Sequence, residues 1–178
     1  MSPSAILAWH DYFVTVAQVS ATLAGLLFVG LTISLGHMLA GSGYLYRAWA
    51  ALALQFEALV IGLVGLIPNQ TAAVLGYEFM GTALAVLAAI RIFGHYFPED
   101  ERSPVLGSPG ARMVREFVIH LATLLPAISG LLLLAGSGAA LDWLVPSEVI
   151  GLYLSFGLAW VFAIEIPRRQ EAEREKSR

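Results

Sequence analysis

Few residues in this sequence have side chains that could do chemistry, and the most informative two are Glu57 and Glu78. They lie deep inside two long apolar segments, residues 45–67 and 71–93, which are joined by a short turn. Each segment can cross a bilayer, because about 20 helical residues span its roughly 30 Å of hydrocarbon. A carboxylate at such depth is costly and indicates either a bound partner or a path for ions or protons.

The two carboxylates are predicted to lie at similar depth. Glu57 comes eleven residues before Pro68, and Glu78 comes nine residues after Asn69. At 1.5 Å per residue both are about 14 to 17 Å from the turn, so an antiparallel hairpin would bring them level. Gln18 of the first segment falls near the depth of Glu78 and is a candidate hydrogen-bond partner. The pair could handle protons or small cations, or it could consist of neutral, hydrogen-bonded groups that fix the helix register.

A second polar group lies near one end of a later segment. Glu116, His120 and Thr123 follow one another at helical spacing and form a single stripe. His120 is either satisfied locally by Glu116, close to the membrane surface, or forms with it the inner end of a proton path from Glu57 and Glu78.

Histidines also leave a b-type haem open as an alternative. His120 with His37 or His95 could supply two axial ligands if they met at one depth on facing helices. Histidines near the membrane surface are ordinary, so we predict no cofactor. Cysteine is absent, which excludes disulfides and thiolate metal sites.

Composition indicates a membrane protein. Of the 178 residues, 58% are hydrophobic and 13% are charged, and the mean hydropathy is +0.75. Soluble domains are about 25% charged, so this chain is predicted to be one membrane domain embedded in a lipid bilayer. No catalytic triad, phosphate loop, HExxH or nucleic-acid motif is present, so we predict neither an enzyme nor a nucleic-acid partner.

The predicted fold is an all-α polytopic bundle of five transmembrane helices. They cover residues 12–39, 45–67, 71–93, 113–134 and 147–166, with a loop at 95–112 and a tail at 168–178. Pro126 should kink the fourth helix, since it cannot donate to the carbonyl of Ala122. Glu148 follows Pro146 and Ser147 and is interpreted as a first-turn carboxylate that the helix dipole stabilises.

Basic residues predict the orientation. All ten lie after the first helix, around the loop between the third and fourth helices, or after the fifth: Arg47, Arg91, Arg102, Arg112, Arg115, Arg168, Arg169, Arg174, Lys176 and Arg178. The alternate connections have none. The positive-inside rule then predicts the N-terminus outside and the C-terminus in the cytoplasm.

Small residues recur at four-residue spacing on three helices. The series are Ala17, Ala21 and Gly25; Gly81, Ala85 and Ala89; and Gly151, Ser155, Ala159 and Ala163. Such faces allow helices to approach closely. They exceed what a minimal bundle needs, so a homo-oligomer is predicted.

The start of the chain resembles a known group of proteins. Residues 9–13, WHDYF, and 20–29, SATLAGLLFV, are similar to the first helix of small, largely uncharacterised bacterial multi-pass proteins, some of them labelled as modulators of a membrane-bound protease. The resemblance implies a bacterial plasma (inner) membrane and no established activity.

The favoured functional hypothesis is an oligomeric channel or proton- or cation-conducting protein. Its path would contain Glu57, Glu78, Gln18, His120 and Glu116. The alternative is an accessory protein that binds and modulates another membrane protein, and the third is a b-type haem electron carrier.

Overall fold

The computed structural model describes residues 6–38, 42–96, 109–161 and 164. Within these residues it contains five long helices and no strand, which confirms the all-α prediction. The helices are α1 (His10–Met38), α2 (Ser42–Gly65), α3 (Ala72–Tyr96), α4 (Pro109–Leu134) and α5 (Leu144–Trp160). A short 3-10 turn, Leu141–Trp143, leads into α5.

Each of the five helices is long and apolar enough to cross a membrane, α5 together with the 3-10 turn before it. The prediction of a multi-pass membrane protein is therefore confirmed. The loop predicted at 95–112 lies mostly outside the described residues, and the tail at 168–178 lies entirely outside them.

Several helix boundaries differ from the predicted ones by a few residues. α4 begins at Pro109, four residues before the predicted start at 113, and α5 begins at Leu144 and not at Ser147. Pro146 is tolerated there because the first N–H groups of a helix have no partner within the helix. As a result no acidic residue lies in the first turn of α5. The interpretation of Glu148 as a first-turn carboxylate was therefore wrong.

The central helix of the bundle is α2, which packs against all four others. The remaining neighbours are α1 with α5, α3 with α4, and α4 with α5. We call the end of the bundle that carries Arg47, Arg91, Arg112 and Arg115 the basic end. The opposite end, where residues 66–71 connect α2 to α3, is the turn end. Asn69 in that connection has a φ of 61°, a conformation that asparagine tolerates better than most residues.

Glycines bring two pairs of helices into backbone contact. A Cβ atom added to Gly62 of α2 would lie 2.8 Å from the backbone nitrogen of Ala17 on α1. One added to Gly76 of α3 would lie 2.8 Å from the carbonyl oxygen of Gly130 on α4. These close approaches explain why the core of the bundle is tight along α1–α2 and α3–α4.

Only part of the small-residue series packs inside the bundle. Ala17, Gly151 and Ser155 are buried, whereas Gly25 and Gly81 would meet no atom within 4 Å of an added Cβ. Ala163 lies outside the described residues.

The buried apolar side chains form two main clusters, one at each end. The turn-end cluster contains Phe13, Ile61, Leu75, Phe79, Leu133, Ala140, Leu141 and Leu144. The basic-end cluster contains Tyr46, Ala50, Ala53, Val86, Ile90 and Ile119. On α2, Glu57 lies between Ala53 of one cluster and Ile61 of the other, so apolar layers close it off on both sides.

Candidate functional site

The most deeply buried carboxyl group among the described residues is that of Glu57. Its side chain on α2 is 2% exposed. Its Oε1 atom is buried and receives no hydrogen bond from the part of the chain that the structure describes. A buried polar atom without a partner is costly, which makes Glu57 the first candidate for a functional group.

The carboxyl group of Glu148 is the electrostatic neighbour of Glu57. Glu148 projects from α5 and is 7% exposed, and its charge acts on Glu57. Both carboxyl groups are thus buried on two helices that pack against each other, α2 and α5, within electrostatic range of one another.

Tyr12 of α1 completes the group. Its hydroxyl is buried without a hydrogen-bond partner among the described residues, and it too lies within the electrostatic influence of Glu148. We call Tyr12, Glu57 and Glu148 the carboxyl cluster. Three helices, α1, α2 and α5, each supply one member.

Positive charge lies at the other end of the bundle. The basic residues in the described ranges are Arg47, Arg91, Arg112 and Arg115, all at the basic end. Arg47 precedes Glu57 on α2 by ten residues, about 15 Å of helix. Two buried carboxyl groups within electrostatic range of each other repel when both are charged, and no described basic side chain lies at their end of the bundle to offset this.

Glu78 has a different environment from the one predicted. Its Oε2 atom accepts a hydrogen bond of 2.6 Å from Nε2 of Gln70, in the connection between α2 and α3. The side chain of Gln18, its predicted partner, is exposed on α1. Glu78 is thus tied to the connection between α2 and α3.

Gln55 and Ser155, which sequence reasoning missed, form a polar contact between α2 and α5. Gln55 is 1% exposed, and its Nε2 donates to Oγ of Ser155 at 2.7 Å and to the carbonyl of Gly151 at 3.3 Å. The signal was present in the sequence: an amide in an apolar segment, opposite a series of small residues. The contact holds α5 beside α2 and so helps to place Glu148 near Glu57.

A second contact involves the proline of α4. Pro126 has no N–H for the carbonyl of Ala122, as the sequence predicts, but α4 continues through this position as one helix. Oγ of Ser147 on α5 donates to that carbonyl at 2.7 Å. The neighbouring helix thus supplies the missing donor, and it fixes α5 one residue before Glu148.

Glu116 and His120 belong to a separate network at the basic end. The hydroxyl of Tyr46 donates to Oε2 of Glu116 at 2.8 Å, and Arg115 lies 3.8 Å from its Oε1. Nε of Arg91 donates to Nε2 of His120 at 2.8 Å. The other ring nitrogen, Nδ1, lies 2.7 Å from the backbone carbonyl of Glu116.

These partners determine the protonation of His120. A guanidinium only donates and a carbonyl only accepts, so Nε2 must carry the lone pair and Nδ1 the proton. His120 is therefore neutral in this arrangement. The backbone of Glu116, and not its carboxylate, provides the local partner.

His120 is common to both histidine pairs considered for haem. Both ring nitrogens of His120 are hydrogen bonded, His95 is exposed at the end of α3, and the side chain of His37 lies outside the described part. Among the described residues no group of three His, Cys, Asp or Glu side chains could hold a metal ion.

Comparison with known proteins adds no relative. No family model matches the chain, and neither a curated protein nor a solved structure matches it. The resemblance of residues 9–13 and 20–29 stays a prediction. Any functional argument therefore rests on the geometry of the site.

Proposed function

We propose that this protein conducts protons across a membrane and that the carboxyl cluster carries them. The observation behind the proposal is the buried pair Glu57 and Glu148, in which Oε1 of Glu57 has no hydrogen-bond partner among the described residues. A single proton between two carboxyl groups offsets their repulsion, and it can leave when a second acceptor comes within reach.

The surroundings of the cluster support proton transfer over a purely structural role. A structural carboxyl group in a membrane is expected to have its polar atoms paired. Within the described ranges, Glu57 and Tyr12 each have a buried oxygen without a hydrogen-bond partner, whereas Glu78 is bonded to Gln70. The hydroxyl of Tyr12 is a proton donor and acceptor and is suited to relay a proton to or from Glu148.

The protein is proposed to act in a bacterial plasma membrane, with its N-terminus outside and its C-terminus in the cytoplasm. The support is the distribution of all ten basic residues, which the positive-inside rule assigns to the cytoplasmic side. In this orientation the turn end, and with it the nearer access to the carboxyl cluster, faces outward.

Proton flux into liposomes that contain the purified full chain tests the proposal. We expect Glu57→Gln and Glu148→Gln each to lower the flux by about a hundredfold, the lower end of what a positioned proton-transferring side chain contributes. Glu78→Gln is the matched control, because it removes a carboxylate that already has a partner.

Equal flux in all four samples, with the same elution volume and unfolding midpoint, would reject the assignment of the cluster. Potassium flux in the same vesicles separates proton conduction from a small-cation channel. A potassium flux that depends on Glu57 would replace the proton with a cation as the transported ion.

A second candidate is an accessory protein that binds another membrane protein. The observation that favours it is the open space beside Gly25, Gly81 and Gly157, each of which would meet no atom within 4 Å of an added Cβ. Small residues on an outer helix face let another helix approach closely. The same faces would also serve a homo-oligomer. A stable oligomer or complex that conducts neither protons nor potassium would therefore favour the accessory role.

A further inference from the structure

A cavity of about 390 Å³ opens at the basic end, separate from the carboxyl cluster. Its walls come from α2, α3 and α4, and the polar lining residues are Tyr46, Arg91, Arg112, Glu116 and His120. α2 and α4 begin beside it and α3 ends beside it, so the cavity lies where the apolar spans end. That is the level at which lipid headgroups meet a membrane protein.

The negative charge inside this cavity is already engaged. The carboxylate of Glu116 accepts from Tyr46 through Oε2 and faces Arg115 through Oε1. Glu116 is therefore paired with Arg115 and Tyr46, and neither of these contacts is to Arg91 on the α3 wall.

Arg91 is held in position by a neutral group. Its Nε donates to Nε2 of His120, and His120 is locked as the Nδ1–H tautomer by the carbonyl of Glu116. A guanidinium has five N–H donors in a rigid fork that matches the oxygens of a phosphate. The hydrogen bond to His120 orients this fork while leaving the positive charge of Arg91 without a carboxylate partner among the described residues.

The side-chain charges, and not the helix ends, set the potential of this cavity. α2 starts at Ser42 and α4 starts at Pro109, but α3 ends here at Tyr96, so the partial charges of the helix ends oppose one another. Arg112 on α4 adds a second guanidinium to the lining.

We propose that this cavity binds a phosphate-bearing anion, with Arg91 as the main contact. A phospholipid headgroup and free phosphate share this chemistry. The lipid is the source favoured by the position of the cavity at the end of the spans, since basic pockets between transmembrane helices bind anionic headgroups. Neither source depends on the proposed proton conduction.

The test is a binding titration of the full chain in detergent micelles, with the thermal unfolding midpoint measured at each probe concentration. The probes are short-chain phosphatidylglycerol, short-chain phosphatidylcholine and inorganic phosphate, each added separately. Phosphatidylglycerol is expected to stabilise the unaltered chain, and Arg91→Gln is expected to weaken its apparent affinity about tenfold, as loss of one charge-assisted contact does.

Arg47→Gln is the matched control, because it removes the same charge from the same end of the bundle without lining this cavity. Arg91→Lys keeps the charge but loses the fork, so it should bind with intermediate affinity. If inorganic phosphate binds with the same dependence on Arg91, the anion site stands and its ligand is free phosphate.

Equal losses in Arg91→Gln and Arg47→Gln would show that binding follows the general charge of the surface, and this would overturn the proposal. So would equal stabilisation by phosphatidylcholine and phosphatidylglycerol, because phosphatidylcholine carries no net charge. If Arg91→Gln does not fold in the absence of a probe, Arg91→Lys takes its place and is compared with Arg47→Gln in the same way.

Discussion

Single residues decide how the polar groups of this bundle are satisfied. The carbonyl of Ala122 has no backbone donor because residue 126 is a proline, and the hydroxyl of Ser147 on α5 donates to it instead. In hydrocarbon no water is present to do the same, so a proline inside a membrane helix calls for a polar side chain on a neighbour. Here that side chain precedes Glu148 in the sequence, so the hydrogen bond that satisfies α4 also fixes the position of α5.

Ser147→Ala is expected to destabilise the protein by about 1 kcal/mol, since interhelical hydrogen bonds in membranes contribute about that much. The measurement is unfolding in mixed micelles with a denaturing detergent. The decisive comparison is the same change in a Pro126→Ala background, where the backbone of residue 126 can donate to Ala122 again. There, the loss of Ser147 should change the free energy of unfolding by less than half as much. Equal effects in the two backgrounds would contradict the hydrogen-bond account.

The carboxyl cluster illustrates what sequence reasoning can and cannot locate at this scale. The depth of Glu57 was evident from its distance to the turn, and its apolar surroundings predicted burial. Depth does not specify the direction in which a side chain points around the helix axis, and this direction decides which helix it contacts. Matched depth predicted Glu78 level with Glu57, while the structure bonds Glu78 to Gln70 and places Glu148, on the adjacent helix α5, within electrostatic range of Glu57.

At the scale of helices, the packing of α1 on α2 depends on Gly62. Its small size lets the backbone of α1 approach at Ala17 and Phe13. Because Tyr12 and Phe13 are adjacent in α1, this contact also positions the tyrosine of the carboxyl cluster.

Gly62→Ala is expected to destabilise the protein by about 1 to 3 kcal/mol, the usual range for overpacking. An added methyl group would lie 2.9 Å from both the Cβ of Ala17 and the carbonyl oxygen of Phe13. Gly25→Ala, on the same helix pair but in open space, is the control and should be neutral or slightly stabilising, because alanine favours helix. Thermal unfolding in micelles measures both variants, and similar stabilities for the two would disprove the close contact.

Helix number and type followed from the sequence because five apolar segments of spanning length leave few alternatives. The residues at which helices begin and end were harder to predict. Pro146 and Ser147 look like a helix start, but the 3-10 turn Leu141–Trp143 feeds directly into α5 and begins it earlier. The small-residue series were also ambiguous. Ala17 and Gly25 belong to one series, but only Ala17 lies at a close contact between helices, and Gly25 faces open space.

At the scale of the whole molecule, the two ends carry different chemistry. The carboxyl cluster adjoins the turn-end core, and the arginines with their cavity lie at the basic end. Between them, Gln55 and Ser155 are the polar contact that joins α2 to α5. Because the carboxyl cluster and the cavity are separate, the proposed proton conduction and the proposed anion binding can be tested independently.

The claim that Glu57 and Glu148 act as one proton-carrying unit is tested most directly by a double-mutant cycle on proton flux. Flux is measured in liposomes for the unaltered chain, Glu57→Gln, Glu148→Gln and the double variant, all at matched protein content. If the two carboxyl groups share one function, the double variant conducts no less than either single variant, because the first substitution already breaks the unit. Losses that multiply, or a Glu148→Gln variant that conducts like the unaltered chain, would contradict it.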